Sequence, residues 1–353
     1  MMTFTIRYRV EERTGKTCRN PYYYLIRECK ANGKKCIVAT YLSSGRKPAE
    51  EEITAFLADH IHDSETKIRE KYLQARHEAL KSQYPEAWNA DDVECLRYLY
   101  NHLRNLIPAG EMACFEKEAE YRYIHGTTAI EGNTLSYGDT TNLLDYGILP
   151  GGKPAREVFE VQNYLNVKKY RDTYTGKITL TFMKKLHSLI MANILPDPGE
   201  FRTADNILIS GYDYQVTPAL LIEDELTGLV AWYYQMIRNG YHPFECAVLF
   251  HYRFETIHPF ADGNGRVGRE LLNYLLERSG YPRMIIGAEN RSRYLSALHA
   301  GNRNDTGAMI REFAGLMTEG RLETMEKTFS GQIDLRIRGS QKTVSAHTLE
   351  EFL

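Results

Sequence analysis

Twelve consecutive residues, His258-Pro259-Phe260-Ala261-Asp262-Gly263-Asn264-Gly265-Arg266-Val267-Gly268-Arg269, gather a histidine, a carboxylate, two glycines around an asparagine, and two arginines. Each type has a use if a phosphoanhydride is to be held and attacked. Gly263 and Gly265 can take backbone angles closed to other residues, so successive N–H groups can turn inward as an anion nest. The apolar residues after them (Val267, Leu271, Leu272, Leu275, Leu276) recur at helical spacing. That places the nest at a helix N-terminus, where the dipole also favours an anion. Arg266 and Arg269 are three apart and share a face of this helix, so both can meet phosphate oxygens. Asp262 stands at the mouth, fit to hold a divalent cation that bridges two phosphates, which magnesium does with few protein ligands. His258, just before the turn, offers an imidazole that can take a proton from an incoming hydroxyl. A Gly-Asn-Gly alone is a turn and a histidine alone is usually structural; the ordered set is what points to chemistry.

The stretch resembles the signature of the Fic family: a histidine, a phenylalanine two later, an acid-Gly-Asn-Gly-Arg run and a closing arginine. The resemblance implies a mainly α fold, a Fic-type helical bundle with a β-hairpin flap. It also implies a protein adenylyltransferase that moves AMP from ATP onto a serine, threonine or tyrosine hydroxyl of a target protein, and of itself, with Mg²⁺ as cofactor. Residue by residue, His258 becomes the base and Asp262 the metal ligand. Gly263, Asn264 and Gly265 form the anion hole, Arg266 and Arg269 hold the phosphates, and Phe260 anchors the loop. Gly265 stands where the kinase-like Doc branch carries lysine, which argues against that branch. Tyr294 and Asn302 lie at the distances past the motif where the family borders adenosine. Before the motif, Asn206, Ile207, Leu208 and Ile209 open what reads as two short strands around a turn. In the family a flap here aligns the target segment by main-chain pairing.

A second stretch, Thr127-Thr128-Ala129-Ile130-Glu131-Gly132-Asn133, ends a helical run. Gly132 or Asn133 suits the left-handed cap, and a carboxylate at a helix C-terminus is disfavoured by the dipole unless a cation meets it. The resemblance gives the residues a role, since Thr127, Glu131 and Gly132 match the inhibitory motif of Fic proteins that carry it ahead of the core. The implied switch is a bidentate pair between Glu131 and Arg269 that keeps Arg269 from the terminal phosphate.

These stretches need a scaffold. Residues 1–47 read as a small basic β-rich module: through residue 50, eleven Lys or Arg face four Glu and no Asp, and Ala31-Asn32-Gly33-Lys34 is a hairpin turn. A solvated basic face is the favoured reading, with contact to nucleic acid as the other. Residues 48–108 read as a helical linker region, opened by Pro48 and three glutamates and resumed at Asp91 and Asp92. Residues 109–325 hold the catalytic core, with amphipathic helices at 155–172, 179–194 and 223–239, and residues 326–353 read as a polar tail. No apolar run approaches the roughly 20 residues of a membrane span. The six cysteines show no C-x-x-C pair or zinc spacing, so reduced thiols in a cytoplasmic protein are expected. Oligomeric state stays open, a homodimer being the commonest closed assembly. Two further readings remain: a de-AMPylase hydrolysing AMP-modified protein at the same site, and a non-enzymatic nucleotide-sensing or DNA-binding regulator.

Overall fold

The computed structural model describes residues 7–14, 20–205 and 216–343, with side chains as far as residue 337. The expected flap residues Asn206, Ile207, Leu208 and Ile209 lie outside the described residues. In chain order the strands are β1 (Tyr8–Arg13), β2 (Tyr22–Ala31) and β3 (Lys34–Ser44). The helices are α1 (Glu50–Ala79), α2 (Ala90–Leu106), α3 (Ala109–Ile130), α4 (Tyr137–Tyr146), α5 (Ala155–Thr173), α6 (Leu180–Ile190), α7 (Ile222–Arg238), α8 (Pro243–Ile257), α9 (Asn264–Arg278), α10 (Arg291–Asn302), α11 (Thr306–Thr318) and α12 (Arg321–Thr343). The fold is mainly α with a small N-terminal sheet, as the sequence led us to expect. None of the described helices is long and apolar enough to cross a membrane.

The chain divides into two compact units, one formed by Met1–Leu80, Ala90–Met112 and Thr318–Leu353, the other by Lys81–Asn89 and Ala113–Met317. In the first, the strands form an antiparallel sheet ordered β1-β2-β3. Asn32 and Gly33 turn β2 into β3 with φ of 48° and 80°, the positive pair a two-residue hairpin requires. α1 lies on this sheet through Ile53, Leu57, Ile61, Ile68 and Tyr72, all buried at helical spacing. Between sheet and helix, Arg27 is buried against Glu65, whose Oε1 accepts from Nε at 2.6 Å and from the Tyr8 hydroxyl at 2.8 Å. The basic excess is partly spent in ion pairs: Arg9 and Arg13 both reach Glu11, and Arg46 reaches Glu52. Where the sequence read a tail from residue 326, α12 continues. Its Met325, Phe329 and Ile333 are spaced four apart and buried, a stripe too sparse to stand out among charged neighbours.

The second unit is built around α9, whose side chains are buried almost from end to end and which packs against α8 and α6. A charge cluster ties α9 to its neighbours. Arg171 of α5 donates to Glu120 of α3 at 2.7 Å and to Glu270 of α9 at 2.8 Å. Arg283 completes the square, with Glu270 at 2.8 Å and Glu120 at 3.2 Å. All four side chains are at most 8% exposed. α3 approaches so closely that a side chain at Gly126 would collide with the Ile286 carbonyl oxygen. The helix is therefore held both by charge and by backbone contact.

Removing one partner from such a cluster strands the others, which costs about 3–5 kcal/mol. We expect Arg171→Ala to lower the unfolding free energy by that order in chemical denaturation; a loss under about 1 kcal/mol would mean the cluster is wet. Burial raises the Glu270 pKa, but Arg283 and Arg171 outweigh it and hold the group down at about 2 against an ordinary 4.5. Its contribution is thus fully present above pH 4.5 and lost as pH falls toward 2.

Candidate active site

α8 delivers the chain to His258, which adopts the left-handed region at φ 50° and ψ 61°. For a residue with a Cβ this conformation is costly and must be enforced by its surroundings. Arg202, itself buried, does so by gathering three successive carbonyls. Its Nε donates to His258 O at 2.8 Å, its Nη2 to Ile257 O at 3.3 Å, and its backbone N–H to Pro259 O at 2.9 Å. Asn264 then clamps the Phe260 peptide, accepting from its N–H and donating to its carbonyl, both at 2.8 Å. Phe260 is fully buried and stacks on His187, ring centroids 3.9 Å apart and planes within 1°. Nδ1 of His187 accepts from the Gly199 N–H at 2.7 Å, so its Nε2 carries the proton donated to the Asp262 carbonyl at 3.0 Å. Arg202 and His187 carry no signal in the sequence, because what they bind is backbone.

Gly263 caps α9 at φ 82°, a position where a Cβ would also press on the Met191 sulfur at 2.7 Å. Its N–H already donates to Asp262 Oδ1 at 2.6 Å. The nest is therefore made by the next backbone N–H groups, those of Asn264, Gly265 and Arg266, which an α-helix leaves unpaired at its start. The side chain of Asn264 is occupied by the Phe260 peptide, which leaves its backbone N–H as the group facing the start of α9. His258 is half-buried, and burial, with Arg202 nearby, pushes its pKa down to about 4 despite a hydrogen bond to the Glu255 carbonyl. At neutral pH the imidazole is unprotonated. One ring nitrogen donates to that carbonyl, which leaves the other as acceptor.

Each charged residue of the motif has a counter-ion drawn from a helix remote in sequence. Arg269, on α9, donates through Nη2 to Glu131 Oε1 at 2.6 Å and to the Thr127 carbonyl at 3.0 Å, and through Nε to Thr127 Oγ1 at 2.8 Å. The pair with Glu131 is thus made through one carboxylate oxygen, with Thr127 taking the second edge of the fork that a bidentate pair would have used. Glu131 also lies over the start of α9: a side chain at Gly265 would collide with its Oε1 and stand 2.9 Å from Arg269 Nη1. Burial raises the Glu131 pKa, but the charge and hydrogen bond of Arg269, helped by Arg266, carry it below the usual carboxylate range. Gly132 follows at φ 98° as the expected cap of α3. Arg266 donates to Glu160 of α5 at 2.9 Å and lies 3.4 Å from Asp262. Asp262 in turn receives Arg156 at 2.6 Å. Burial alone would raise the Asp262 pKa, but Arg266 and Arg156 bring it below its ordinary value. Asn133 links the end of α3 to this group, donating to Glu160 Oε2 at 3.0 Å.

Tyr294 is placed differently from the expectation. It is 1% exposed, with its ring against His251 and Phe313 and its hydroxyl 2.9 Å from His251 Nε2 and 3.5 Å from Arg269 Nη1. Such a ring has no open face for a base; its contact is with Arg269. Asn302 ends α10, eight residues or about 12 Å along the axis from Tyr294. Burial pushes Glu255, which also feels the charge of Arg269, up to about 8. It is largely protonated at neutral pH, so Glu131 is the charged partner of Arg269.

With this geometry in hand, the comparisons with known proteins point to one domain type. The model described as "Fic/DOC family" matches residues 177–276. The chain carries a Fic/DOC domain. A protein adenylyltransferase, fic-1 of Caenorhabditis elegans, is 33% identical over 229 residues, covering 63% of this chain and 44% of that protein. Protein adenylyltransferase Fic of Drosophila ananassae is 33% identical over 208 residues, covering 56% and 40%. The chain thus spans less than half the length of these curated relatives. Among solved structures, a Fic domain containing signaling protein from Bacteroides thetaiotaomicron is similar with TM-score 0.59 at 26% identity, over 69% of this chain and 98% of that one. Fic-1 from C. elegans shares the fold with TM-score 0.59 at 24% identity, over 82% and 90%. The matched region begins just ahead of α6 and ends within α9, so it contains His258 to Arg269; Glu131 and its helix lie before it.

The depressed basicity of His258 in the Fic/DOC domain can be read directly. In an NMR pH titration its imidazole should stay neutral down to about pH 5, with a midpoint well under the ordinary 6.5. A midpoint at or above 6.5 would mean that water reaches the ring freely.

Proposed function

We propose that this chain is a Mg²⁺-dependent protein adenylyltransferase held in check by Glu131. The observation that carries the reading is the set of groups around the start of α9: a neutral imidazole, unpaired helix N–H groups, and two buried arginines on one face. In this reading the target hydroxyl gives its proton to the free nitrogen of His258 as its oxygen attacks the α-phosphorus of ATP. The bond to the β-phosphate oxygen breaks and pyrophosphate leaves. The N–H groups of Asn264, Gly265 and Arg266 and the guanidinium of Arg266 meet the charge that builds on the phosphate oxygens, a stabilisation that needs no reorganisation during the step.

Asp262 fits a magnesium ion. Mg²⁺ takes one or two carboxylates and completes its shell with phosphate oxygens and water, and Asp262 is a single carboxylate, 40% exposed, at the mouth of the nest. The ion, when bound, would supply positive charge against the phosphates. Arg269 belongs to the terminal phosphate but is engaged by Glu131 and Thr127. As long as Glu131 holds it, ATP binds without that contact and the α-phosphorus is not lined up for attack. The target segment would be aligned by main-chain pairing with the flap, as the resemblance implies.

The test is labelling of the chain itself with α-³²P ATP and Mg²⁺. Losing a charge-assisted hydrogen bond that opposes binding should let Glu131→Gly incorporate at least about tenfold more label than the native chain. Adding His258→Ala should lower incorporation by about 10²-fold or more, the usual worth of a general base. Equal labelling of the native chain and Glu131→Gly would remove the inhibitory role of Glu131. Label surviving without His258 would remove its role as base.

A further inference from the structure

The ion pair between Arg156 and Asp262 is a contact of the motif made by a largely solvent-exposed side chain. Asp262 faces two guanidiniums of different standing. Arg266 is buried, 2% exposed, and fixed by Glu160; Arg156 is 55% exposed and enters from the first turn of α5. A cation near a helix N-terminus is disfavoured by the dipole, so Arg156 is kept there by its carboxylates and not by its helix. It also has an alternative acceptor: its Nε lies 3.2 Å from Glu160 Oε1, one helical turn along α5. Its grip on Asp262 is through Oδ2 at 2.6 Å, while Oδ1 is occupied by the Gly263 N–H. The Asp262 oxygen not taken by the Gly263 N–H is therefore already met by a positive charge.

We propose that Arg156 is a resident cation that a divalent metal must displace from Asp262. The proposal rests on the reading of Asp262 as the metal ligand. A doubly charged ion cannot share this oxygen with a guanidinium, because repulsion at a few ångströms in a half-buried setting exceeds what an exposed ion pair is worth. Arg266 cannot yield, being buried and held by Glu160. Arg156 can, moving wholly onto Glu160 or into water at little cost. Metal entry is thus an exchange of cations, and metal affinity without nucleotide is set low by this arginine. Arg156 is a positioning residue in this scheme, since it touches the metal ligand and not the reacting atoms.

The experiment is titration of the full chain with Mn²⁺ in the absence of nucleotide, following free Mn²⁺ by electron paramagnetic resonance. Arg156→Gln should bind Mn²⁺ at least about threefold more tightly than the native chain, the scale of a lost exposed pair. The gain should shrink as salt screens the native pair, and adding Asp262→Asn should abolish it. Arg156→Gln binding no more tightly than the native chain, or not at all, would overturn the proposal. A gain that persists with Asp262→Asn would overturn both the proposal and the assignment of Asp262. The side chain of Arg156 is largely in water, so its replacement does not threaten the fold. The titration does not depend on AMP transfer: a Mn²⁺ shift without labelling of Glu131→Gly would sink the transferase reading and leave Arg156 standing, and labelling without the shift would do the reverse.

Discussion

The contact between Arg269 and Glu131 joins side chains 138 residues apart, one from the buried helix α9 and one from the turn just past the end of α3. It resolves a local conflict at each end. A carboxylate at the end of α3 faces the negative pole of its own helix, and a buried guanidinium needs acceptors for its donors. Neither helix could carry its residue alone without penalty. The pair forms only because α3 is brought to one place, and that place is fixed further back along the helix. Gly126 lets it touch the Ile286 carbonyl, and Glu120 locks it into the square of charges with Arg171, Glu270 and Arg283. Arg291 adds a last hold by donating to the Ile130 carbonyl at 2.7 Å. Glu131 is thus the tip of a clamped element, and its carboxylate can move without its helix moving.

The same economy governs the loop before α9. His258 is bent into the left-handed region so that the chain can turn from α8 into α9 within a few residues, and the carbonyls exposed by this turn are gathered by Arg202. The fold invests a buried arginine, a histidine of fixed tautomer and an asparagine in satisfying backbone, and the imidazole of His258 is left with one nitrogen unused. Removal of polar backbone groups from water is what makes the site dry, and dryness is what lowers the basicity of His258.

Much of this was legible in the sequence, and what was not has a common cause. The nest, the helix after it and the cap at Gly132 follow from glycine conformation and apolar spacing, which are local properties. The partner of Glu131 could not come from local chemistry, only from resemblance, because a cation 138 residues away leaves no periodic trace. Arg202, His187, Glu160 and Arg156 escaped for the same reason: each acts on groups across the fold, and an arginine in a loop or first helical turn reads as solvated. Tyr294 was assigned by distance along the chain, but its side chain is turned into the core toward Arg269, a direction that sequence spacing does not contain. α12 was hidden because three apolar residues at four-residue spacing are enough to bury a helix against others, yet too few to mark it among charges.

Taken together, the ions of the site form a closed set. Arg269 is matched by Glu131, Arg266 by Glu160, and Asp262 by Arg156. Buried charges without partners are expensive, so the charged side chains of this site are paired with one another. On the proposed function these counter-ions stand where the ligands would: a carboxylate over the helix N-terminus in place of a phosphate, and a guanidinium on the aspartate in place of a metal. The consequence is that filling the site requires exchange rather than simple addition, and selectivity enters with it. On the proposed function a ligand would offer both a strong anion to replace Glu131 and a cation to replace Arg156, and a metal-bound nucleotide would bring the two at once. The exposed members of the set are Arg156 at 55% and Glu131 at 33%, while Arg266 and Arg269 are buried. In the proposed reading, inhibition needs no separate domain, because the charges that pair within the site are the ones that a ligand would have to displace.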